Sequence, residues 1–217
     1  MWYPFVLPRS ARRVIAVSEF TKRELVSLLG VRDENIRVIP NAVADAFSPD
    51  GERADGDYVL AVGTLEPRKN LARLAEAARR AHVELRVAGA RGWGGVDARG
   101  DGVRWLGEVS DAELARLYRG ARAVAYPSLY EGFGIPVLEA MACGAPVVTS
   151  AGGATEEVAG GAAVLVDPLD TESIAAGIAE ADRRRDELRR LGVERARAFS
   201  WADVARATED VYREAAG

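Results

Sequence analysis

Short apolar runs alternate with amphipathic, helix-forming segments along most of this 217-residue chain. The apolar runs predict strands at Arg13–Val17, Ile36–Ile39, Tyr58–Val62, Leu85–Ala88, Val103–Leu106, Ala123–Tyr126, Val147–Thr149 and Ala163–Val166. Helical patterns lie between and after them, near Ser18–Leu29, Leu71–Ala81, Asp111–Arg119, Pro136–Cys143, Thr155–Ala159, Thr171–Asp182, Asp186–Phe199 and Trp201–Ala215. Short strands that alternate with helices indicate an α/β fold with a Rossmann-like parallel sheet and helices on both faces.

Three turns that follow predicted strands stand out because each contains glycine: residues 63–70, 89–95 and 128–134. In open parallel sheets, ligands bind at the carboxyl ends of the strands, near the point where the strand order reverses. We therefore expect these turns to surround one crevice. The first two strands and the helix between them form a separate βαβ unit, and a polar linker over residues 44–57 follows it.

Composition narrows the functional classes. A hydrophobic content of 48% and a charged content of 29% are ordinary for a globular domain, and the net charge of −4 argues against a general nucleic-acid binder. Cys143 is the single cysteine, so an internal disulfide is impossible. His82 is the single histidine, which disfavours a Ser-His-Asp triad. No membrane span or signal peptide is evident, which favours a cytoplasmic location. The apolar start, Met1–Pro8, is expected to pack on a neighbouring domain, with interfacial membrane contact as the alternative.

The segment from Glu131 to Glu139 carries the strongest chemical signal. Gly132 and Gly134 let the backbone bend tightly, and Pro136 suits the first turn of a helix. Unpaired N–H groups at the start of that helix form an anion site, towards which Glu139 leans back from the first turn. A phosphate-sized site between two carboxylates that can bind hydroxyl groups would suit a sugar nucleotide.

This segment resembles the Glu-x7-Glu signature of retaining glycosyltransferases of family 4, which have the two-domain GT-B fold. Val62–Asn70 resembles that family's strand-to-helix turn with basic residues for the donor diphosphate, and further matches occur in order at Arg13–Ser18, Pro40–Val43 and Phe199–Trp201. The resemblance implies the tail end of an N-terminal acceptor domain and a linker over 1–45. It also implies a Rossmann-like donor-binding domain over 46–200 and a helix over 201–217 that crosses back onto the first domain. On this basis we expect a fragment of a longer enzyme.

The resemblance also implies the roles of individual residues. Arg68 and Lys69 would stabilise the departing diphosphate, and Glu131 would contact the transferred sugar; we class all three as catalytic. Glu139 would accept hydrogen bonds from the ribose hydroxyls. Many relatives carry an arginine where this chain has Thr64, so which phosphate Arg68 reaches stays open.

Further substrate-binding positions come from the same turns: Gly63, Gly132, Phe133, Gly134, Ile135 and Val109. We expect the backbone N–H groups of Gly134 and Ile135 to bind phosphate, while the side chains of Phe133 and Ile135 pack under the loop. Val109 would lie near the base. Trp93 would either line the base or sugar pocket or serve in packing.

The implied activity is transfer of a hexose, with retention, from a nucleotide diphosphate sugar, and GDP-mannose is favoured over donors with other bases. No cofactor or metal is expected. The acceptor would be a glycan or lipid-linked hydroxyl bound through the missing domain, with peripheral membrane association of the full enzyme as an alternative to a purely cytoplasmic one. A non-catalytic sugar-nucleotide module and an epimerase of the same fold are competing interpretations. A Rossmann oxidoreductase is disfavoured because residues 63–67 lack the dinucleotide glycine fingerprint.

Several other features have ordinary structural explanations. Asp55 and Asp57 have the Asp-x-Asp spacing of some metal-binding sites, but they lie in the linker and are expected in a turn. His82 is expected at the surface and Cys143 in the core. The arginines at 183–185, 189 and 190 alternate with acidic residues at helical spacing, which indicates a salt-bridged solvent face, with membrane headgroup binding as the alternative.

Overall fold

A computed structural model describes residues 11–90, 92 and 101–217. The strands are β1 Val14–Ala16, β2 Ile36–Val38, β3 Tyr58–Val62, β4 Glu84–Ala88, β5 Val103–Gly107, β6 Ala123–Tyr126, β7 Val147–Ser150 and β8 Val164–Val166. The helices are α1 Glu19–Leu29, α2 Leu71–Arg80, α3 Asp111–Gly120, α4 Ile135–Ala142, α5 Ala154–Ala159, α6 Thr171–Arg183, α7 Arg185–Ala196 and α8 Trp201–Ala216. The predicted elements are confirmed and differ only at their ends.

Six strands form one parallel sheet in the order β5-β4-β3-β6-β7-β8. The α/β class with a Rossmann-like parallel sheet is therefore confirmed. The chain builds outward in one direction from β3 to β5 and then returns to place β6 on the other side of β3. The strand order reverses between β3 and β6, which is where a fold of this kind binds its ligands.

The sheet is buried on both faces because successive residues of a strand point to opposite sides. On β3, Tyr58 and Leu60 join the apolar cluster that includes α3 and α4. The intervening Val59 joins the cluster under α2 and α6. Every residue of β6 is buried, and the chain reaches the surface only at Leu129, three residues after the strand ends. The two central strands therefore fix the loops that follow them.

A second, two-stranded parallel sheet is formed by β1 and β2, joined by α1. Ser18 caps the start of α1, and Gly30 ends it in the left-handed conformation with φ 66°. Helix α8 returns to this unit, because Glu214 accepts hydrogen bonds from Arg13 at 2.9 Å and from Arg37 at 2.7 Å. The βαβ unit and the last helix thus lie together.

The βαβ unit also contacts the loop between β6 and α4. The hydroxyls of Ser18 and Thr21 both donate to the Gly132 carbonyl oxygen, at 2.7 and 2.9 Å. The carboxylate of Glu157, on α5, accepts the N–H groups of residues 19 and 20 at 2.8 and 3.0 Å. Two sets of polar contacts therefore fix the start of α1 against the main sheet unit.

Features with structural explanations behave as predicted. His82 is exposed just after α2, and Cys143 is buried, where desolvation raises its thiol pKa to about 12. Arg184 pairs with Glu180 and Glu187 on the surface. The segment Met1–Pro8 lies outside the described residues. Among the helices of the described ranges, none combines the length and the apolar character that crossing a membrane requires.

Candidate functional site

The loops after β3 and β4 approach each other closely at the carboxyl edge of the sheet. Gly63 and Gly89 have φ values of 144° and 146°, which only glycine adopts readily. A Cβ atom at Gly89 would lie 2.3 Å from the Gly63 carbonyl oxygen. Glycine is therefore required at Gly89 for the two backbones to meet, and the loop after β3 starts from this contact.

Three predicted catalytic side chains converge beside this edge. The Glu131 carboxylate accepts a hydrogen bond from Lys69 Nζ at 2.7 Å on Oε1 and one from Arg68 at 2.8 Å on Oε2. Arg68 also pairs with Glu66 at 2.8 Å. The Lys69 and Glu131 side chains are 9% and 11% exposed, whereas Arg68 is 43% exposed. The site therefore contains one buried ion pair with a second, accessible cation beside it.

Tyr126, the last residue of β6, completes the cluster, and sequence reasoning did not single it out. Its hydroxyl donates to Glu131 Oε1 at 2.8 Å and accepts a hydrogen bond from Lys69. The Lys69 ammonium also lies 4.6 Å from the centre of the Tyr126 ring. A tyrosine at a strand end next to a predicted site was the available signal, but tyrosine in a buried strand is ordinarily a core residue.

Burial and ion pairing shift the pKa values of Glu131 and Lys69 in opposite directions. Burial alone would raise the pKa of Glu131, but the hydrogen bond and charge of Lys69 outweigh it and hold that pKa below its ordinary value. For Lys69, burial dominates and lowers the pKa, although Glu131 opposes the shift. Burial also raises the pKa of Tyr126, so its hydroxyl stays protonated and can donate. At neutral pH, Glu131 is ionised and held by cations of this chain.

The glycine turn before α4 supplies backbone donors. Gly134 has φ 109°, and a Cβ atom there would lie 2.8 Å from Thr155 Cγ2. Within the described ranges, the N–H groups of Gly134 and Ile135 donate to no protein acceptor. They lie at the positive end of the α4 dipole and are available to an anion.

The two apolar side chains of this turn differ. Phe133 is buried and packs edge-on against Phe199, with ring centres 6.0 Å apart, as expected. Ile135 is 41% exposed, so the expectation that it packs under the loop is wrong. It is the first residue of α4, where the chain has just left the turn and the core lies on the opposite side.

Glu139 lies on α4 and has a partner that sequence reasoning missed. The Tyr118 hydroxyl, on α3, donates to Glu139 Oε2 at 2.9 Å. Burial raises the pKa of Glu139, and the Tyr118 hydrogen bond partly opposes that shift. In the part of the chain that the structure describes, Oε1 of Glu139 accepts no hydrogen bond. The core residue Tyr118 therefore holds Oε2, while Oε1 has no hydrogen-bond partner among the described residues.

A depression of about 500 Å³ opens at the carboxyl ends of β4 and β5, lined by Gly89, Ala90, Trp105, Leu106, Gly107 and Glu108. Val109, predicted to lie near the base, does not line it. It packs against the core and lines a neighbouring depression with Arg104 and Arg116. Its expected backbone role stays a prediction. Trp93 lies outside the described residues.

The chemistry of these groups suits an anion joined to a polyol. The unengaged N–H groups of α4 and the guanidinium of Arg68 suit phosphate oxygens. The carboxylates of Glu131 and Glu139 suit hydroxyl groups. Arg68, Lys69 and Glu131 meet on loops that follow β3 and β6, where the strand order reverses.

Comparison with known families gives two matches. The model of the family "Glycosyl transferases group 1" matches residues 44–198, and the model "Glycosyltransferase Family 4" matches residues 2–47. The first match alone covers more than half of the chain and contains all of the candidate site residues.

Curated relatives are enzymes that transfer sugars, according to their names. O-antigen chain mannosyltransferase B of Escherichia coli is 33% identical over 232 residues, which is 94% of this chain and 61% of that protein. MMP alpha-(1->4)-mannosyltransferase of Mycolicibacterium hassiacum is 32% identical over 99% of this chain and 58% of its own length. A D-inositol 3-phosphate glycosyltransferase of Nocardioides sp. is 42% identical over 82% of this chain and 38% of its own length. The chain thus spans less than two thirds of these relatives.

Solved structures share the fold. Sucrose-phosphate synthase from Thermosynechococcus elongatus superposes with a TM-score of 0.83 at 26% identity, over 97% of this chain and 60% of that one. Anabaena HepE, solved in complex with UDP-glucose, superposes with a TM-score of 0.78 at 21% identity, over 98% and 66%.

Proposed function

The chain belongs to the glycosyl transferases group 1 family, and from this premise we propose that it is the donor-binding part of a hexosyltransferase that uses a nucleotide diphosphate sugar. The division proposed from the sequence goes with this function: residues 46–200 bind the donor, while 1–45 and 201–217 belong with an acceptor domain. The site lies within the first of these ranges. The acceptor hydroxyl, on a glycan or a lipid-linked carrier, would bind opposite the β3 and β6 loops.

The observation that carries the proposal is the convergence of Arg68, Lys69 and Glu131 at the switch point of the sheet, beside unengaged N–H groups of α4. A buried cation such as Lys69 is costly unless a charge partner satisfies it. Among the described residues the ion-pair partner of Lys69 is Glu131, a group that can also bind sugar hydroxyls. A diphosphate would take over the cations and leave the carboxylate for the sugar.

The proposed reaction needs a stabilised leaving group more than a strong base. The bond between the sugar anomeric carbon and the diphosphate oxygen breaks, and its electron pair stays on that oxygen, where Arg68, Lys69 and the backbone N–H groups stabilise the charge. The acceptor oxygen forms a new bond to the anomeric carbon from the same face, and its proton passes to the departing phosphate oxygen. Retention of configuration follows from attack on that face.

For the donor itself we propose GDP-mannose. Two of the relatives are named mannosyltransferases, at 33% and 32% identity. Within the site, Glu139 would bind the ribose hydroxyls and Glu131 the hexose. The base would lie in the depression at the ends of β4 and β5. Other relatives are named only as glycosyltransferases acting on inositol 3-phosphate, which says nothing of the base.

Thermal unfolding in the presence of GDP, UDP, ADP and TDP tests the proposal. A nucleotide at one hundred times its Kd stabilises the folded state by about 2.7 kcal/mol, a readily measured shift. We expect GDP to give that shift, Lys69→Ala and Glu139→Ala to abolish it, and the surface variant Lys22→Ala to retain it. No shift with any nucleotide at millimolar concentration would contradict the proposal. A shift with a nucleotide other than GDP would contradict only the choice of donor.

A second candidate function is donor binding without transfer. A non-catalytic sugar-nucleotide module would act with a partner subunit. Mixing the chain with a separately produced acceptor domain, radiolabelled GDP-mannose and a hydroxyl acceptor separates the two functions. The donor-binding part of a transferase then forms product and loses it with Lys69→Ala, whereas a non-catalytic module binds the donor and forms none.

A further inference from the structure

The Tyr118 hydroxyl makes one hydrogen bond among the described residues, and it is made to a predicted substrate ligand. Tyr118 is fully buried on α3, and its ring packs edge-on against Phe47, with centres 5.9 Å apart. Its hydroxyl lies 2.9 Å from Glu139 Oε2. The backbone of one helix and the packing of the core therefore fix the position of a donor that points at a carboxylate on another helix.

Glu139 has little else to hold it. The side chain is half-buried, so few water molecules can solvate the charge, and the Glu139 carboxylate forms no ion pair in the described part of the chain. A carboxylate accepts up to about four hydrogen bonds, two on each oxygen. With Tyr118 on Oε2, no other described residue engages the second lone pair of Oε2 or either lone pair of Oε1. This arrangement can accept both hydroxyls of a vicinal diol.

We propose that Tyr118 is a positioning residue that holds the Glu139 carboxylate, in its ionised form, in the orientation that binds the two ribose hydroxyls of the donor nucleotide. This inference rests on the proposed function. Tyr118 itself touches no substrate. It acts through Glu139 by removing the freedom of the carboxylate to rotate, so that binding the diol costs less conformational entropy.

The hydrogen bond also favours the charged form of Glu139 over the protonated one. Burial raises the pKa of Glu139, the Tyr118 hydroxyl opposes this shift, and the negative charge of Asp111 adds to the rise. Loss of the hydroxyl would therefore raise that pKa further. A protonated Glu139 offers fewer acceptors to a diol. As the pH falls, a Tyr118→Phe variant should therefore lose nucleotide binding at a higher pH than the wild-type chain does.

The test compares Tyr118→Phe with Tyr58→Phe by calorimetric titration. Tyr58 is a matched control because it is equally buried in the same cluster, and its hydroxyl donates to the Leu117 carbonyl rather than to Glu139. The ligands are the nucleoside diphosphate that binds the wild-type chain and its 2′-deoxy form. Tyr118→Phe should weaken the ribonucleotide roughly tenfold and the deoxynucleotide much less. Discrimination between the two should therefore fall, while Tyr58→Phe leaves it unchanged.

A structural role alone would weaken both ligands equally and keep their ratio, which would overturn the proposal. Adding Tyr118→Phe to Glu139→Gln gives a second, independent readout. If Tyr118 acts through Glu139, the added change costs no further affinity; a further tenfold loss in the double variant would also overturn it. Absence of binding by the wild-type chain would overturn the proposed function instead, and this inference with it.

Discussion

Replacement of Lys69 by Met should destabilise the chain far more than replacement of the only other lysine, Lys22. Methionine keeps the length of the side chain and removes the charge. The side chains of Lys69 and Glu131 are 9% and 11% exposed, so Lys69→Met leaves a carboxylate in a nearly dry site. Lys22, itself 21% exposed, pairs at 3.0 Å with Asp33, whose side chain is 70% exposed and therefore stays solvated without its partner.

The magnitudes follow from the number of partners that remain. Loss of one member of a buried ion pair costs about 3–5 kcal/mol of folding free energy. Here Arg68 and Tyr126 still contact Glu131. We therefore expect a loss of about 2–3 kcal/mol for Lys69→Met. An exposed pair contributes about 0–1 kcal/mol, which is the loss expected for Lys22→Met.

The assay is urea unfolding followed by circular dichroism, with linear extrapolation to water. A double variant, Lys69→Met with Glu131→Gln, should recover most of the lost stability, because it removes the unpaired charge. Neither variant should bind nucleotide. Lowering the pH protonates Glu131, so the penalty of the single variant should shrink as the pH falls through the ordinary range of a glutamate.

Two outcomes would refute this reasoning. Equal losses for the two lysines would mean that the Lys69–Glu131 pair is solvated in solution. A double variant no more stable than the single one would locate the loss in packing, because the Lys69 stem lies against Gly63.

Two further substitutions test individual features of the site. Glu139→Gln should stabilise the ligand-free chain by about 0.5–1 kcal/mol at pH 7, because it removes a charge that burial disfavours. Burial raises the folded pKa of Glu139, so the gain should vanish at pH 4, where the wild-type carboxyl is protonated; a gain equal at both pH values in urea unfolding would count against this. Gly134→Ala should cost about 2–3 kcal/mol, because a Cβ would meet a side chain at 2.8 Å at φ 109°. Gly102→Ala, at φ 83° with open space around it, should cost about 1 kcal/mol, and equal unfolding midpoints would show that the contact at Gly134 relaxes.

Hydrophobic patterning was sufficient to predict the elements of this fold and their order. Runs such as Tyr58–Val62 and Ala123–Tyr126 are short, wholly apolar and bounded by polar or glycine residues, so they read clearly as buried parallel strands. The end of α7 was harder to predict. The pattern continues to Phe199, but the helix ends at Ala196, and Phe199 packs on Phe133 instead. That contact joins distant parts of the chain, so no local pattern contains it.

The sequence predicted the site residues that lie in one local turn. It did not predict the contacts that depend on which strands lie side by side in the sheet. Gly132, Gly134 and Glu139 follow from one segment of sequence. The contact of Arg68 and Lys69 with Glu131 spans more than sixty positions and requires β3 to lie beside β6. The Tyr118–Glu139 pair gave no signal at all, because a tyrosine on the apolar face of an amphipathic helix is ordinarily a core residue.

On the proposed function, the ion pairs of the ligand-free site determine the order in which the donor is bound. Glu131 accepts hydrogen bonds from Lys69, Arg68 and Tyr126 at once, which leaves about one of its four acceptor positions for a hydroxyl. A diphosphate carries more charge than one carboxylate and attracts both cations more strongly. Once they turn to the phosphates, Tyr126 still holds Glu131 in place while one of its oxygens becomes available. Recognition of the hexose therefore follows occupation of the phosphate site, and a free sugar should bind this chain poorly.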